Sequence, residues 1–202
     1  MFDLDLWKEI LSALKKNRMR SFMTAFGVFW GIFMLIIWSE PTSKPFKGFQ
    51  RGRRWSYKNT DIEYIKANIT DVEYLSPRLF GPRGNSGDNT IRGKKTGSFS
   101  IYGDYPEFFK IDPWTPLQGR LINQIDILQN RKVVNIGERV VEVMFEKEED
   151  PIGQYLKING VYYQVVGVVK GETRVNIGGG RKTETIIMPF TTMQKTYNMG
   201  ND

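Results

Sequence analysis

The hydrophobic pattern is dominated by one stretch, Ser21–Trp38, SFMTAFGVFWGIFMLIIW. From Phe22 to Trp38 the only polar side chain is that of Thr24, and no residue is charged. Crossing a bilayer as a helix takes about 17–25 apolar residues, and in hydrocarbon a helix satisfies its own backbone hydrogen bonds. The pattern therefore predicts a transmembrane helix over 21–38. Gly27 and Gly31 stand at GxxxG spacing within it, a candidate helix-packing face. A secretory signal peptide would carry a shorter apolar core and a small-x-small cleavage site. Here WSEPTSKP follows the run and offers no such site, so the run reads as an uncleaved anchor.

Upstream, Trp7, Ile10, Leu11 and Leu14 recur at i, i+3, i+4 and i+7, one face of a helix. Lys8, Glu9, Ser12, Lys15 and Lys16 lie largely off that face, and Asp3 and Asp5 sit where they complement the helix dipole. Residues 1–20 thus read as an amphipathic helix in the membrane interface. Residues 39–58 interleave basic and aromatic side chains with Gly and Pro and read as a basic linker.

Beyond the linker the apolar period changes repeatedly, as in a mixed α+β domain over 59–202. Thr60 and Glu63 have capping-box spacing, predicting a short helix to Asn68. Asp71–Leu79 reads as a strand, and Thr90–Arg92 with Phe99–Tyr102 as a hairpin around GKKTG. Tyr105–Phe109 reads as a short helix, Lys132–Ile136 as a strand and Glu138–Phe145 as a helix. Asn159-Gly160 joins strands Tyr155–Ile158 and Tyr162–Val169, the strongest short hairpin signal. Thr185–Met188 is the last strand expected, and Phe190–Tyr197 the last helix.

Composition narrows the chemistry. The chain has 202 residues, neither Cys nor His, and a mean hydropathy of −0.40. Disulfides, thiolate zinc sites, Cys nucleophiles and Ser-His-Asp triads are excluded. The net charge of +7 favours anionic surroundings. Beside a membrane anchor, phospholipid head groups are the expected partner rather than nucleic acid. Lys15, Lys16, Arg18 and Arg20 abut the run on one side, and Lys44, Lys47, Arg51, Arg53 and Arg54 follow on the other. Because long domains translocate largely regardless of charge, the N-terminus is expected in the cytoplasm.

No stretch reads as a catalytic, cofactor or metal site. In GGGRKT, Gly178–Thr183, Asn176 and Arg181 occupy the two positions where a phosphate loop needs glycine. In GKKTG, Asp88 and Lys95 break the same pattern. Glu146–Asp150 carries four carboxylates in five residues but lacks Ca²⁺-loop spacing, and reads as a solvated loop. The expectation is a protein that is not an enzyme and holds no cofactor.

Gly119–Gly171 carries a family resemblance. Gly119-Arg120, Ile136-Gly137-Glu138, Met144-Phe145, Pro151-Ile152-Gly153 and Val165–Val168 with Gly167 follow one another as in the periplasmic core domain of MacB-type ABC transporter permeases. Met188-Pro189-Phe190 and Thr191–Gln194 resemble the strand end and helix start that follow there. Arg18-Met-Arg20-Ser21 resembles the basic lead into the family's first span. The family-like structural motif is thus Gly119, Arg120, Gly137, Glu138, Pro151, Gly153, Gly167 and Pro189.

The resemblance implies one permease half of a dimeric transporter in the bacterial inner membrane. It implies a separate cytoplasmic ABC ATPase subunit or domain, a second permease copy and a main domain in the periplasm. It also implies coupling of ATPase-driven motion to that domain for export or extraction of a substrate. By the same analogy the partner set extends to a periplasmic adaptor or an outer-membrane channel. Family members have four spans where this sequence has one apolar run, so the chain reads as a truncated permease. The competing reading is a stand-alone, single-span membrane-anchored binding or scaffold domain.

Overall fold

A computed structural model describes residues 35–45, 47–48, 50–53, 55–83, 87–171, 177 and 180–200. The expected interfacial helix, most of the expected span, and Gly27 and Gly31 lie outside the described residues. Leu35–Glu40 are described and carry no regular structure. Among the described residues no helix is long and apolar enough to cross a membrane.

The chain divides into two units, Met1–Arg53 and Arg54–Asp202. In the first, the basic linker folds back on itself rather than running extended. The Thr42 amide donates to the Arg53 carbonyl at 3.0 Å, and the Gly52 amide to the Thr42 carbonyl at 2.7 Å. The reversal between them is built with positive φ at Lys47, Gly48 and Gly52.

The second unit is α+β, with one mixed sheet. Its elements are α1 (Asn59–Asn68), β1 (Arg78–Phe80), β2 (Asp88–Arg92), β3 (Lys95–Asp104), α2 (Phe108–Ile111) and β4 (Trp114–Gly119). Then come α3 (Gln124–Leu128), β5 (Val133–Gly137), α4 (Glu138–Met144), β6 (Tyr155–Ile158) and β7 (Val161–Gly171). A 3₁₀ turn at Lys182–Glu184, β8 (Thr185–Pro189) and α5 (Phe190–Thr196) complete it.

The strand order β1-β3-β2-β6-β7-β5-β8 closes on itself, because β8 also pairs with β3. β5 runs parallel to β7, and β8 parallel to β3; the other pairings are antiparallel. Ring closure explains the apolar runs. Every residue of β5 (VVNIG) and of β8 (TIIMP) is buried, as expected of strands flanked on both edges and covered on both faces. The main core gathers Phe99, Ile101, Val134, Ile136, Leu156, Tyr163, Val165 and Ile186 with Val140 and Met144 of α4 and Met193 of α5. By contrast, α1 buries no residue.

Several expectations shift. Asp71–Leu79 is not a strand: only Arg78–Phe80 pairs, beyond Pro77, which has no N–H to give a ladder. Val72 and Tyr74 within it stay exposed. The first helix starts at Asn59, one residue ahead of Thr60, and Asp61 rather than Glu63 reaches back, accepting the Lys58 amide at 2.8 Å. The helix expected over Tyr105–Phe109 begins at Phe108, after a turn in which the Phe108 amide donates to the Tyr105 carbonyl. α3 is an addition to the elements expected. The acidic run is not freely solvated either. Glu149 accepts a two-pronged bond from Arg92, and Lys95 reaches Glu146 at 2.8 Å and the Phe145 carbonyl at 2.6 Å.

Candidate functional site

β7 is too long for any one antiparallel partner, and two short strands share it. β6 pairs with Val161–Gln164, and β4 with Gly167–Gly171. At the junction, loop residues take over the ladder. The Gly153 amide donates to the Val165 carbonyl and the Val165 amide to the Gln154 carbonyl, both at 2.8 Å. The Arg120 amide donates to the Val166 carbonyl at 2.9 Å. An open hollow of about 410 Å³ lies here, lined by Gly119, Arg120, Ile152, Gly153, Gln164, Val165 and Val166.

The glycines are there because two backbones meet. Gly119 has φ +69°, and a Cβ on it would sit 2.2 Å from the Val166 carbonyl oxygen. A Cβ on Gly167 would sit 2.2 Å from the Arg120 carbonyl oxygen and 2.6 Å from Asn135 Nδ2. Asn135 explains a polar residue in the middle of an apolar strand. Fully buried, it accepts from the Ile122 amide at 2.9 Å and donates to the Arg120 carbonyl at 2.8 Å, fixing the 120–122 segment to β5.

Arg120 then turns to Asp126, donating from Nη1 at 2.6 Å and Nη2 at 3.0 Å. Asp126 is 0% exposed and also caps α3: it accepts the Asn123 amide at 3.0 Å while the Asn123 side chain accepts its own amide at 3.1 Å. Burial pushes the Asp126 carboxyl up, but Arg120, the Asn123 amide and Arg131 together hold it below the ordinary carboxylate value. A depressed native pKa means stability present above the unfolded-state value and lost as pH falls through the native one. The acid limb of the unfolding curve should therefore flatten in Asp126→Asn, measured by thermal unfolding between pH 2 and 7 (about the range over which carboxylates titrate). An unchanged slope would contradict this assignment.

Of the motif residues, Gly119, Arg120, Pro151, Gly153 and Gly167 converge at this junction. Pro151 is buried, and its carbonyl accepts the Gln154 amide at 3.2 Å; Gly153 supplies φ +83°. The other three lie elsewhere. Gly137 ends β5 against the 3₁₀ turn, where a Cβ would stand 2.4 Å from the Thr183 carbonyl oxygen. Glu138 opens α4. Pro189 ends β8, paired with Asp104, and precedes α5.

A second polar node has no counterpart in the motif. Arg78 donates to Asp104 from Nε at 2.8 Å and Nη2 at 2.6 Å, with its guanidinium against the rings of Tyr102 and Phe108. Lys182 likewise reaches Asp112 at 2.6 Å and stands over Trp114. So the described part of GGGRKT is an anchor onto the fold. Asn123-x-x-Asp126 was a readable cap; the Arg78–Asp104 pair, 26 residues apart, left no local signal. Among the described residues no group of three or more His, Cys, Asp or Glu comes together to hold a metal. The side-chain donors at the junction are spent on internal acceptors, so the arrangement is suited to joining strands firmly rather than to bond chemistry.

The fold is that of the extracytoplasmic domains of a class of ABC-type transporters. It superposes on the crystal structure of the periplasmic region of MacB from Actinobacillus actinomycetemcomitans with a TM-score of 0.58, covering 81% of this chain and 69% of that one at 18% identity. The extracellular domain of the noncanonic transporter YknZ from Gram-positive bacteria gives the same TM-score over 72% and 68%, also at 18% identity. The chain belongs to the MacB-like periplasmic core domain family, whose model matches residues 34–202.

Full-length relatives agree. The macrolide export ATP-binding/permease protein MacB 2 of Aeromonas hydrophila is 25% identical over 210 residues, covering 91% of this chain and 31% of that protein. The pyoverdine export ATP-binding/permease protein PvdT of Pseudomonas putida is 31% identical over 99 residues, covering 49% and 15%. The chain thus spans less than a third of the length of either.

Proposed function

We propose that this chain is the extracytoplasmic part, with first span, of one permease half of an ABC exporter. Ser21–Trp38 anchors it in the bacterial inner membrane with the N-terminus cytoplasmic, after the interfacial helix 1–20. Gly27 and Gly31 pack the span against a neighbouring helix, and the flanking basic residues meet lipid head groups. A separate ABC ATPase supplies the energy, a second permease copy completes the unit, and this chain is not an enzyme. The domain passes ATPase-driven motion to an external partner, such as a periplasmic adaptor or an outer-membrane channel.

The observation that carries this reading is the family match over 34–202, which begins within the last residues of an apolar run of spanning length. The closed strand ring supports it, because a sheet tied to itself moves as a body and transmits displacement without deforming. Affinity capture of the tagged full chain from membranes tests it. An ATPase subunit and a second permease copy should co-purify. Recovery of the chain alone would sink the proposal in favour of a self-sufficient anchored scaffold.

A further inference from the structure

Beyond α5, Tyr197 and Met199 pack against the core, and one distant side chain hydrogen-bonds to the Tyr197 hydroxyl. Asn159 sits in the β6–β7 turn with φ +47°. Its Nδ2 donates to Asp88 Oδ1 at 2.8 Å and to the Tyr197 hydroxyl at 3.3 Å. Its backbone amide donates to the Asn89 carbonyl at 2.9 Å. One turn residue thereby joins the start of β2, the tip of the β6–β7 hairpin and the residue that follows α5.

The Asp88 end of this link is under-served. Asp88 is 0% exposed, and its Oδ2 has no hydrogen-bond partner among the described residues. That oxygen faces the Cα of Gly81, where a Cβ would stand only 2.0 Å away. Among the described residues, the Asn159 side-chain amide is therefore the hydrogen-bond donor to the buried carboxylate. A buried carboxylate holds a neutral donor strongly, since releasing it leaves the group unpaired out of reach of water. At the other end, burial and the neighbouring Tyr163 push the Tyr197 phenol up, so Tyr197 stays a neutral hydroxyl able to accept from the amide.

We infer that Asn159 is a positioning residue: through its side-chain amide, the buried Asp88 carboxylate holds the residue that follows α5 against the β6–β7 turn and so sets the path of the chain beyond that helix. The claim concerns the fold alone and does not rest on the transporter reading.

Hydrogen exchange on the full chain in detergent tests it. Asn159→Ala should speed exchange of the Phe190–Gly200 amides about tenfold, the scale of one lost hydrogen bond, with β5 and β7 unchanged. Tyr197→Phe, which keeps the Asp88 contact, should loosen the same exit and leave β2 protected. Asn159→Asp places a second carboxylate against Asp88 and should loosen the exit further. Adding Asp88→Asn to it reverses donor and acceptor across the same pair and should restore wild-type protection. Equal acceleration in all segments, an unmoved α5 exit in Asn159→Ala and Tyr197→Phe, or no rescue in the exchanged pair would each overturn the inference.

Discussion

Arg78→Ala should destabilise the domain by about 4 kcal/mol, the scale for stranding one partner of a buried ion pair. The Arg78 side chain is 7% exposed and that of Asp104 is 0% exposed. Arg78 serves three surroundings at once: the Asp104 carboxylate, the Ile177 carbonyl at 2.8 Å, and the rings of Tyr102 and Phe108 at 4.3 and 3.8 Å from its guanidinium carbon. It thereby ties β1 to β3, to α2 and to the segment that returns toward β8.

Burial pushes the Asp104 carboxyl up, and the attraction of Arg78 only partly offsets this. A raised native pKa makes the contribution full below the ordinary carboxylate value and declining as pH rises through the native one. The contribution of Asp104 itself thus slopes opposite to that of Asp126, whereas the cost of losing Arg78 should be greatest near neutral pH and shrink on acidification, because the attraction of Arg78 acts on the ionised carboxyl. Denaturant unfolding of the full chain at pH 4 and pH 7 (either side of about the ordinary carboxylate range) measures both. Arg78→Met combined with Asp104→Leu should regain most of the stability, because an apolar pair of similar volume avoids the desolvation cost. If the double variant were no more stable than Arg78→Ala, the loss would come from packing rather than from a stranded charge.

Gly167→Ala should cost about 3 kcal/mol, the upper part of the range for forcing one extra carbon into a packed site. Its added Cβ would meet two groups that cannot give way: the Arg120 carbonyl, and the Asn135 amide, itself bonded to that carbonyl. The carbon must therefore push β4 away from β7 at the junction where the hollow opens. Gly153→Ala is the control. Nothing lies within 4 Å of its Cβ position, and φ +83° is the only obstacle, so its cost should stay near 1 kcal/mol, about the αL penalty of a non-glycine residue. Unfolding midpoints for the two variants, compared at equal denaturant slope, decide the matter. Equal losses would mean that conformational strain, not the close approach of backbones, accounts for both glycines.

The same contrast shows what could be read in advance. Local signals were dependable where a short segment dictates its own geometry. Asn159-Gly160 gives the β6–β7 hairpin, and the strands expected over Lys132–Ile136 and Thr185–Met188 form as Val133–Gly137 and Thr185–Pro189. Of the eight residues that the family pattern marked, the fold brings Gly119, Arg120, Pro151, Gly153 and Gly167 to one junction. It disperses Gly137, Glu138 and Pro189. The strand expected over Asp71–Leu79 did not form before Arg78, because a segment becomes a strand only where a neighbour accepts its ladder.

By itself, then, the sequence determined the anchor-length apolar run, the α+β class, the exclusion of His and Cys chemistry and most element positions, all of which depend on residues close in the chain. Tertiary structure alone decided the ring closure of β8 on β3, the buried pairing of Arg78 with Asp104, the role of Asn135 and the fastening by Asn159. Each of these joins residues far apart in sequence, and no local period records a contact whose energy exists only once distant strands have removed both partners from water.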